Sequence, residues 1–521
     1  MQHYPVIFAL LLFAFPAGSQ TGSGELPPPG EAYQFFADLT QVSGDQLEVT
    51  LVPPKLSMNA VRYCFPKIVP GIYGAMDFGQ YVSALQAFDH KDKPLPVIQE
   101  NVNVWRIEKA KNLRRIQYRV NDTWDNLVDY DKGFYRSAGA TFHAGEGFVI
   151  NHNALFGFFE GLTERPYQIQ FRKPEGFFGA TSLENVVRSE TAETLSASNY
   201  RALVDAPVLF SLPDTAQFRL GQTDILIAVF NAMPGQNYPY AHYLKEVLEP
   251  QLAAMPAYFG GTLPVKKYAF LVYFEAFDND DMLADALEHQ HSSLYLYAGR
   301  GMGTIAGLIQ HISAHEFLHI MTPLNIHSEK IAQYNFLEPA LSQHLWLYEG
   351  MTEYSSLHAG VTQGMITLAD FLQKIADKYR DMQQYDANIP LTELSRNTLA
   401  RQDQYYNFYL KGALVSLCLD IRLREYSDGS YGTARLMLDL AKKYGPDRPF
   451  PEDSLFDEIA AMTYPQIRDF FRRYVEGSEP LPLEEDLLKL GIVFNPKDLS
   501  VDMVGNPTPA HWKMRTAWLG R

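Results

Sequence analysis

The chain's 521 residues exceed what one compact core organises, so several domains are expected. A composition of 46% apolar and 20% charged residues, with 33 Phe and 31 Tyr, excludes extended disorder beyond the ends. The formal charge of -16 excludes the basic face that a nucleic-acid partner requires, and it offers no attraction to an anionic membrane surface.

Residues 1–19 read as a signal peptide. Val6 to Phe15 is an apolar run too short to span a bilayer, and Pro16-Ala17-Gly18-Ser19 puts small residues at the -3 and -1 positions of a cleavage site after Ser19. Export to a periplasm or the exterior is the expectation. No other apolar stretch reaches membrane-spanning length. Residues 20–33 are rich in Gly, Ser and Pro and read as a linker. Across residues 34–231 apolar and polar residues alternate, as in Leu47-Glu48-Val49-Thr50-Leu51-Val52 and Arg115-Ile116-Gln117-Tyr118-Arg119-Val120, with turn signals between. This pattern predicts an N-terminal β-sandwich-like domain.

The pattern changes over residues 232–478. Residues 240–259 have helical spacing interrupted by Pro250, and Tyr268 to Phe274 is an apolar, aromatic run of strand length. From Gly303 to Val475 helical periodicity dominates, as in Phe371 to Ala376 and Ala413 to Leu423. A small sheet followed by helices makes the whole a multidomain α+β protein. Residues 479–521 open on a Pro-rich stretch and are too short for a further domain, so they read as a C-terminal extension. Cys64 and Cys418 make no disulfide framework and cannot supply a cysteine metal site; both read as small apolar fillers.

The sharpest signal is His315-Glu316-Phe317-Leu318-His319, preceded at helical spacing by Ile305, Leu308, Ile309 and Ile312 and followed by Pro323, which should end the helix. Side chains at i and i+4 are neighbours on one helix face, so the two imidazoles can share a zinc ion while Glu316 reaches a water beside it. A catalytic zinc needs a third protein ligand and an open position. Glu338 is followed by Pro339 and reads as a loop carboxylate. Glu349, in Trp346-Leu347-Tyr348-Glu349-Gly350-Met351-Thr352-Glu353, shares a helix face with Trp346 and Glu353 and is the expected third ligand. Glu353, one turn on, would accept the N–H of a ligand histidine. His311 would lie about 12 Å along the helix from His319, too far to share the ion. His327, His344 and His358 have no ligand spacing, and Asp278-Asn279-Asp280-Asp281 lacks the rest of a calcium loop.

HEFLH, WLYEGMTEY and Tyr409-Leu410-Lys411-Gly412-Ala413 together resemble the glycyl aminopeptidase family, metallopeptidases of the gluzincin group. Val69-Pro70-Gly71-Ile72-Tyr73, Leu203-Val204-Asp205-Ala206-Pro207 and Ala286-Leu287-Glu288-His289 with Ser292 extend the resemblance through most of the chain. It implies a thermolysin-like, mostly helical catalytic domain binding one zinc ion. It also implies Tyr409 as the residue that stabilises the oxyanion and Glu288 as an edge-strand glutamate that pairs with the substrate's free amine. Family members commonly carry a C-terminal PDZ domain, which this chain is expected to lack. The family has paired glycines where Asp285 and Ala286 stand here; Asp285 adds bulk and is expected to offer a second charge to the same amine. Expected substrates are peptides with a free N-terminus and a small first residue, Gly or Ala. An endopeptidase on the same site and a non-catalytic peptide-binding relative remain open, as does the oligomeric state.

Overall fold

The computed structural model describes residues 30–124, 135–232, 238–258, 261, 263–276, 283–299, 303 and 306–520. The signal-peptide reading, most of the linker, Ile305 and the acidic run at Asp278 to Asp281 lie outside them.

The alternating segments of the N-terminal half become paired strands. Gln46–Val52 and Leu113–Asn121 lie antiparallel, with Leu47 opposite Val120, Val49 opposite Tyr118 and Leu51 opposite Ile116. All six of these side chains are buried, because a period of two places them on one face. They belong to an eight-stranded sheet, in which Tyr33–Asp38 pairs in parallel with Tyr167–Arg172. Two four-stranded sheets complete the β-rich layer packing. Aromatic side chains fill it; Tyr33 and Tyr167 stack with ring centroids 4.2 Å apart, and the hydroxyls of Tyr63 and Tyr118 meet at 3.2 Å.

A second, five-stranded sheet has Lys267–Ala276 at its centre. Thr223–Asn231 and Ser292–Gly299 run parallel to it on either side, and Leu283–His289 is the antiparallel edge strand beyond Ser292–Gly299. The hairpin Thr215–Leu220 and Thr223–Asn231 therefore hydrogen-bonds into this sheet. These strands lie at or before residue 231 in the chain yet pair with the second half, since alternation marks them as β without saying which sheet they join. Tyr268 to Phe274 reads as a continuous apolar run because both its faces are covered. Tyr268, Phe270, Val272 and Phe274 face the helices. Ala269, Leu271 and Tyr273 pack with Trp124, Val149, Ala180 and Leu209 of the N-terminal domain.

The helix Tyr240–Tyr258 runs through Pro250 instead of breaking there. Ala241, Leu244, Leu248, Leu252 and Met255 are buried along one side, and that burial offsets the missing backbone bond. Helices Leu368–Met382 and Asn407–Tyr426 form where the periodicity places them. Among the described residues no helix is long and apolar enough to cross a membrane.

The C-terminal segment is part of the catalytic core. Trp518 is fully buried, its indole N–H donates to the Tyr354 hydroxyl at 3.0 Å, and its carbonyl lies 2.8 Å from His358 Nε2.

One close helix crossing sets the geometry of the site. Trp346–Met351 is a π-helical turn continuing into the α-helix Thr352–Thr362. Its Gly350 lies against Gly412 of Asn407–Tyr426, so that a Cβ on Gly350 would stand 2.5 Å from the Gly412 carbonyl carbon. No side chain fits between the two backbones. Gly350→Ala is expected to lower the thermal unfolding midpoint through about 1–3 kcal/mol of overpacking; an unchanged midpoint would mean that the crossing has slack.

Candidate metal centre

His315 lies in the last turn of the helix Ala306–Leu318. The α-helix ends four residues earlier than Pro323 would require, and His319 follows in a tighter turn whose N–H donates to the Glu316 carbonyl at 3.3 Å. The turn is held by His319 itself, whose Nδ1 lies 3.0 Å from the Thr322 carbonyl oxygen. On the other side, His315 Nδ1 lies 3.0 Å from Glu353 Oε2. Both Nδ1 atoms thus have an acceptor, which fixes the tautomers and leaves each Nε2 with a lone pair. These two lone pairs converge on Glu349: its Oε2 is 3.5 Å from His315 Nε2 and 3.7 Å from His319 Nε2.

Zinc bonds of about 2.0–2.2 Å put neighbouring donors of a tetrahedral site roughly 3.3–3.6 Å apart. The observed separations fit that geometry. His315 Nε2 and Glu349 Oε2 are buried without a hydrogen-bond partner, an arrangement that costs free energy unless a cation takes up the lone pairs. Burial opposes charge on His315, but the Glu349 and Glu353 carboxylates hold its pKa up at about 10. Burial pushes His319 down to about 4. Burial works against the charge of Glu349 too, yet His319 and His315 hold its pKa below the usual carboxylate value.

Glu316 and Glu288 complete the cluster. Donor atoms of His315, Glu316 and His319 lie within 4.8 Å of one another, and so do those of Glu288, His319 and Glu349. Burial raises Glu316 to about 8. Burial, then the neighbouring Glu349 and Glu316, raises Glu288 well above the ordinary value. Tyr409 stands over His315, ring centroids 5.4 Å apart, and its hydroxyl lies 3.0 Å from that of Tyr405.

The remaining sequence candidates sit apart from the donor set. Glu338 is an exposed loop residue. His311 Nε2 lies 3.3 Å from Glu353 Oε1 and so acts on the carboxylate behind His315. His344 and His358 are bonded to the carbonyls of Glu452 and Trp518, each at 2.8 Å, and His327 Nδ1 lies 3.2 Å from the Asn325 carbonyl. Asp285, expected to add a second charge beside Glu288, is turned to Ser137 instead. Its carboxylate accepts from the Ser137 N–H at 2.9 Å and the Ser137 hydroxyl at 3.0 Å, because successive strand side chains alternate and it stands three positions from Glu288.

Sequence reading missed Lys378, and it marks Gly71 only as part of a resemblance, without its contact to Glu288. Lys378 Nζ lies 2.6 Å from Glu353 Oε1 and 3.1 Å from the Tyr409 carbonyl, joining the His315 support to the helix that carries Tyr409. Its signal was available: it falls on the same helical stripe as the buried Phe371 and Ile375. Gly71, at φ +82°, brings the N-terminal domain against Glu288, where a Cβ would be 2.7 Å from the carboxylate.

An HExxH pair and a carboxylate from a separate π-helical turn, set between a β domain and a helical one, define the chain as a metallopeptidase. Family models identify which. Residues 34–212 match the Peptidase M61 N-terminal domain and residues 309–415 match the M61 glycyl aminopeptidase. The chain belongs to the M61 glycyl aminopeptidase family, and zinc is the cofactor that this membership implies. No curated protein matches it in sequence. An aminopeptidase N family protein from Idiomarina loihiensis has a similar fold, with a TM-score of 0.77 at 22% identity over 88% of this chain and 78% of that one. An M1 zinc metallopeptidase from Deinococcus radiodurans gives 0.52 at 15% identity over 88% and 96%. A variant of that enzyme bound to a Tyr-Ser-Ala substrate also gives 0.52 at 15% identity, over 87% and 95%.

Metal analysis of purified variants tests the donor set. Glu349→Ala is expected to lose zinc and Glu338→Ala to keep it; the reverse pattern would transfer the third ligand to the loop.

Proposed function

We propose that the chain is a zinc aminopeptidase that holds one zinc ion through His315, His319 and Glu349 and removes the first residue of peptides with a free N-terminus. The observation that carries this reading is the place of Glu288, a buried carboxylate on the edge strand Leu283–His289 within 4.8 Å of His319 and Glu349 donor atoms. One extended residue spans about 3.3–3.6 Å. An α-ammonium on Glu288 therefore leaves room for a single residue before the bond presented at the donor set. Three carboxylates crowd against two imidazoles here, and a divalent ion together with an ammonium would balance them.

Bound between these donors, zinc supplies a Lewis acid that polarises the carbonyl and lowers the pKa of a water to about 7. Glu316, one position from His315 and free of the donor set, accepts the proton of the attacking water and passes it to the leaving amine. The Tyr409 hydroxyl donates to the carbonyl oxygen as it gains charge, oriented by Tyr405. Glu353, gripped by Lys378, keeps His315 in the tautomer with a free Nε2. The structural relative with a bound Tyr-Ser-Ala substrate supports a peptide as the substrate. The apolar run at Val6 to Phe15 with small residues up to Ser19 supports export to a periplasm or the exterior.

Glu316→Gln is expected to keep its zinc while kcat falls by at least about 10²- to 10⁴-fold, since glutamine preserves the shape and cannot take the proton. Near-normal turnover with full metal content would assign that proton to another group. Glu288→Ala is expected to lower kcat/KM for free-amine substrates by about 10- to 100-fold, the worth of a charge-assisted hydrogen bond. N-acetylated peptides should be unaffected. Equal losses on blocked and free peptides, or efficient cleavage of blocked ones by the unmodified enzyme, would make it an endopeptidase.

A further inference from the structure

Glu288 stands at the mouth of a cavity that the mechanism does not use. The cavity lies between the domains, with Ile68, Val69 and Ile72 on the N-terminal side and Leu324, Ile331 and Leu345 on the catalytic side. Gly71 lets this wall close on Glu288: only a residue without Cβ can bring the backbone that near to the carboxylate. Four of the polar side chains in the lining make hydrogen bonds within the protein. Arg201 Nη1 donates to the Ala332 carbonyl at 2.6 Å, and Asp205 accepts from the Gln290 N–H at 3.0 Å. The Ser342 hydroxyl donates to Glu452 at 3.0 Å, and the Tyr348 hydroxyl accepts from the Ser328 N–H at 3.1 Å. What the cavity offers a guest beyond Glu288 is mainly aliphatic and aromatic surface.

On the aminopeptidase reading, we infer that this cavity receives the side chain of the substrate's first residue, and that the preferred residue is leucine or methionine instead of the glycine or alanine that the family resemblance implies. A residue whose ammonium lies on Glu288 and whose carbonyl lies at the donor set has one substituent left to place, and the cavity opens beside the same carboxylate. Its volume is about 60 Å³. At roughly 10–15 Å³ per water it holds about four to six waters, room for the four heavy atoms of a leucine or methionine side chain. Glycine would leave that apolar space unfilled and forgo the burial that a filled pocket provides.

Aminoacyl p-nitroanilides of Gly, Ala, Leu, Met and Phe, assayed on the full zinc-loaded chain, test this. The expected kcat/KM for Leu and Met exceeds that for Gly by about 10- to 100-fold, the discrimination that a few methylenes give in a hydrophobic pocket. Ile331→Trp, in the short helix Glu329–Ala332 at the half-buried rim, fills the space. It should lower the Leu rate by about tenfold or more while the Gly rate stays within about threefold, so Gly turnover doubles as the check on folding and metal content. Leu324→Ala, which enlarges the cavity, should shift the preference toward Phe. Faster turnover of Gly or Ala than of Leu by the unmodified enzyme, or a Leu-to-Gly ratio that neither variant moves, would overturn the inference and leave the aminopeptidase reading standing. Cleavage of blocked peptides with no turnover of any aminoacyl substrate would overturn that reading and this inference with it.

Discussion

Buried negative charge is the constraint from which the site follows. Glu288, Glu316 and Glu349 converge where water is largely excluded, and a desolvated carboxylate is costly unless it is paired. Two imidazoles oppose them, and each has its Nδ1 committed elsewhere, so each can meet the cluster only through Nε2. The protein holds these groups in place by rigid means: a helix end, a π-turn and a sheet edge. Such a cluster is stable as an ion-binding set and strained as anything else.

The layer behind the donors is built to the same rule. Glu353 accepts from Lys378 and lies close to both His311 and His315. Burial disfavours its charge, but Lys378 and His311 keep its pKa well below the ordinary value. Lys378 also reaches the Tyr409 carbonyl, so one ammonium fixes both the orientation of a ligand histidine and the helix that presents the tyrosine. The π-turn has a matching role. It advances Glu349 relative to a regular helix, and such turns recur at functional sites because they aim one side chain out of register. The Gly350–Gly412 crossing holds that turn against its neighbour.

Much of this was legible in the residues, and the remainder has identifiable reasons. Periodicity of two marked the strands Gln46–Val52 and Leu113–Asn121, and HEFLH with WLYEGMTEY picked out the groups that come together. Local patterns carry no information on long-range partners. The hairpin Thr215–Asn231 reads as β in either domain, and only its pairing with Lys267–Ala276 assigns it. Nothing in WLYEGM distinguishes a π-turn from an α-turn. The Pro-rich start of the last segment suggested an appendage, whereas the indole of Trp518 is buried against Tyr354 and His358. Asp285 looked like a second anionic anchor because strand geometry, which turns it toward Ser137, is invisible in a one-residue-at-a-time reading.

The central strand Lys267–Ala276 has helices on one face and the N-terminal sheet packing on the other. An enzyme arranged this way has no detachable half. Cutting it near the junction would bare Ala269, Leu271, Tyr273 and Leu294 on one fragment and Val149, Ala180 and Leu209 on the other, two matching apolar faces with no other cover. Each fragment would then seek the lost face in a neighbouring molecule and precipitate. The two family models describe segments that are separate as patterns of sequence, but the wall between them is common property.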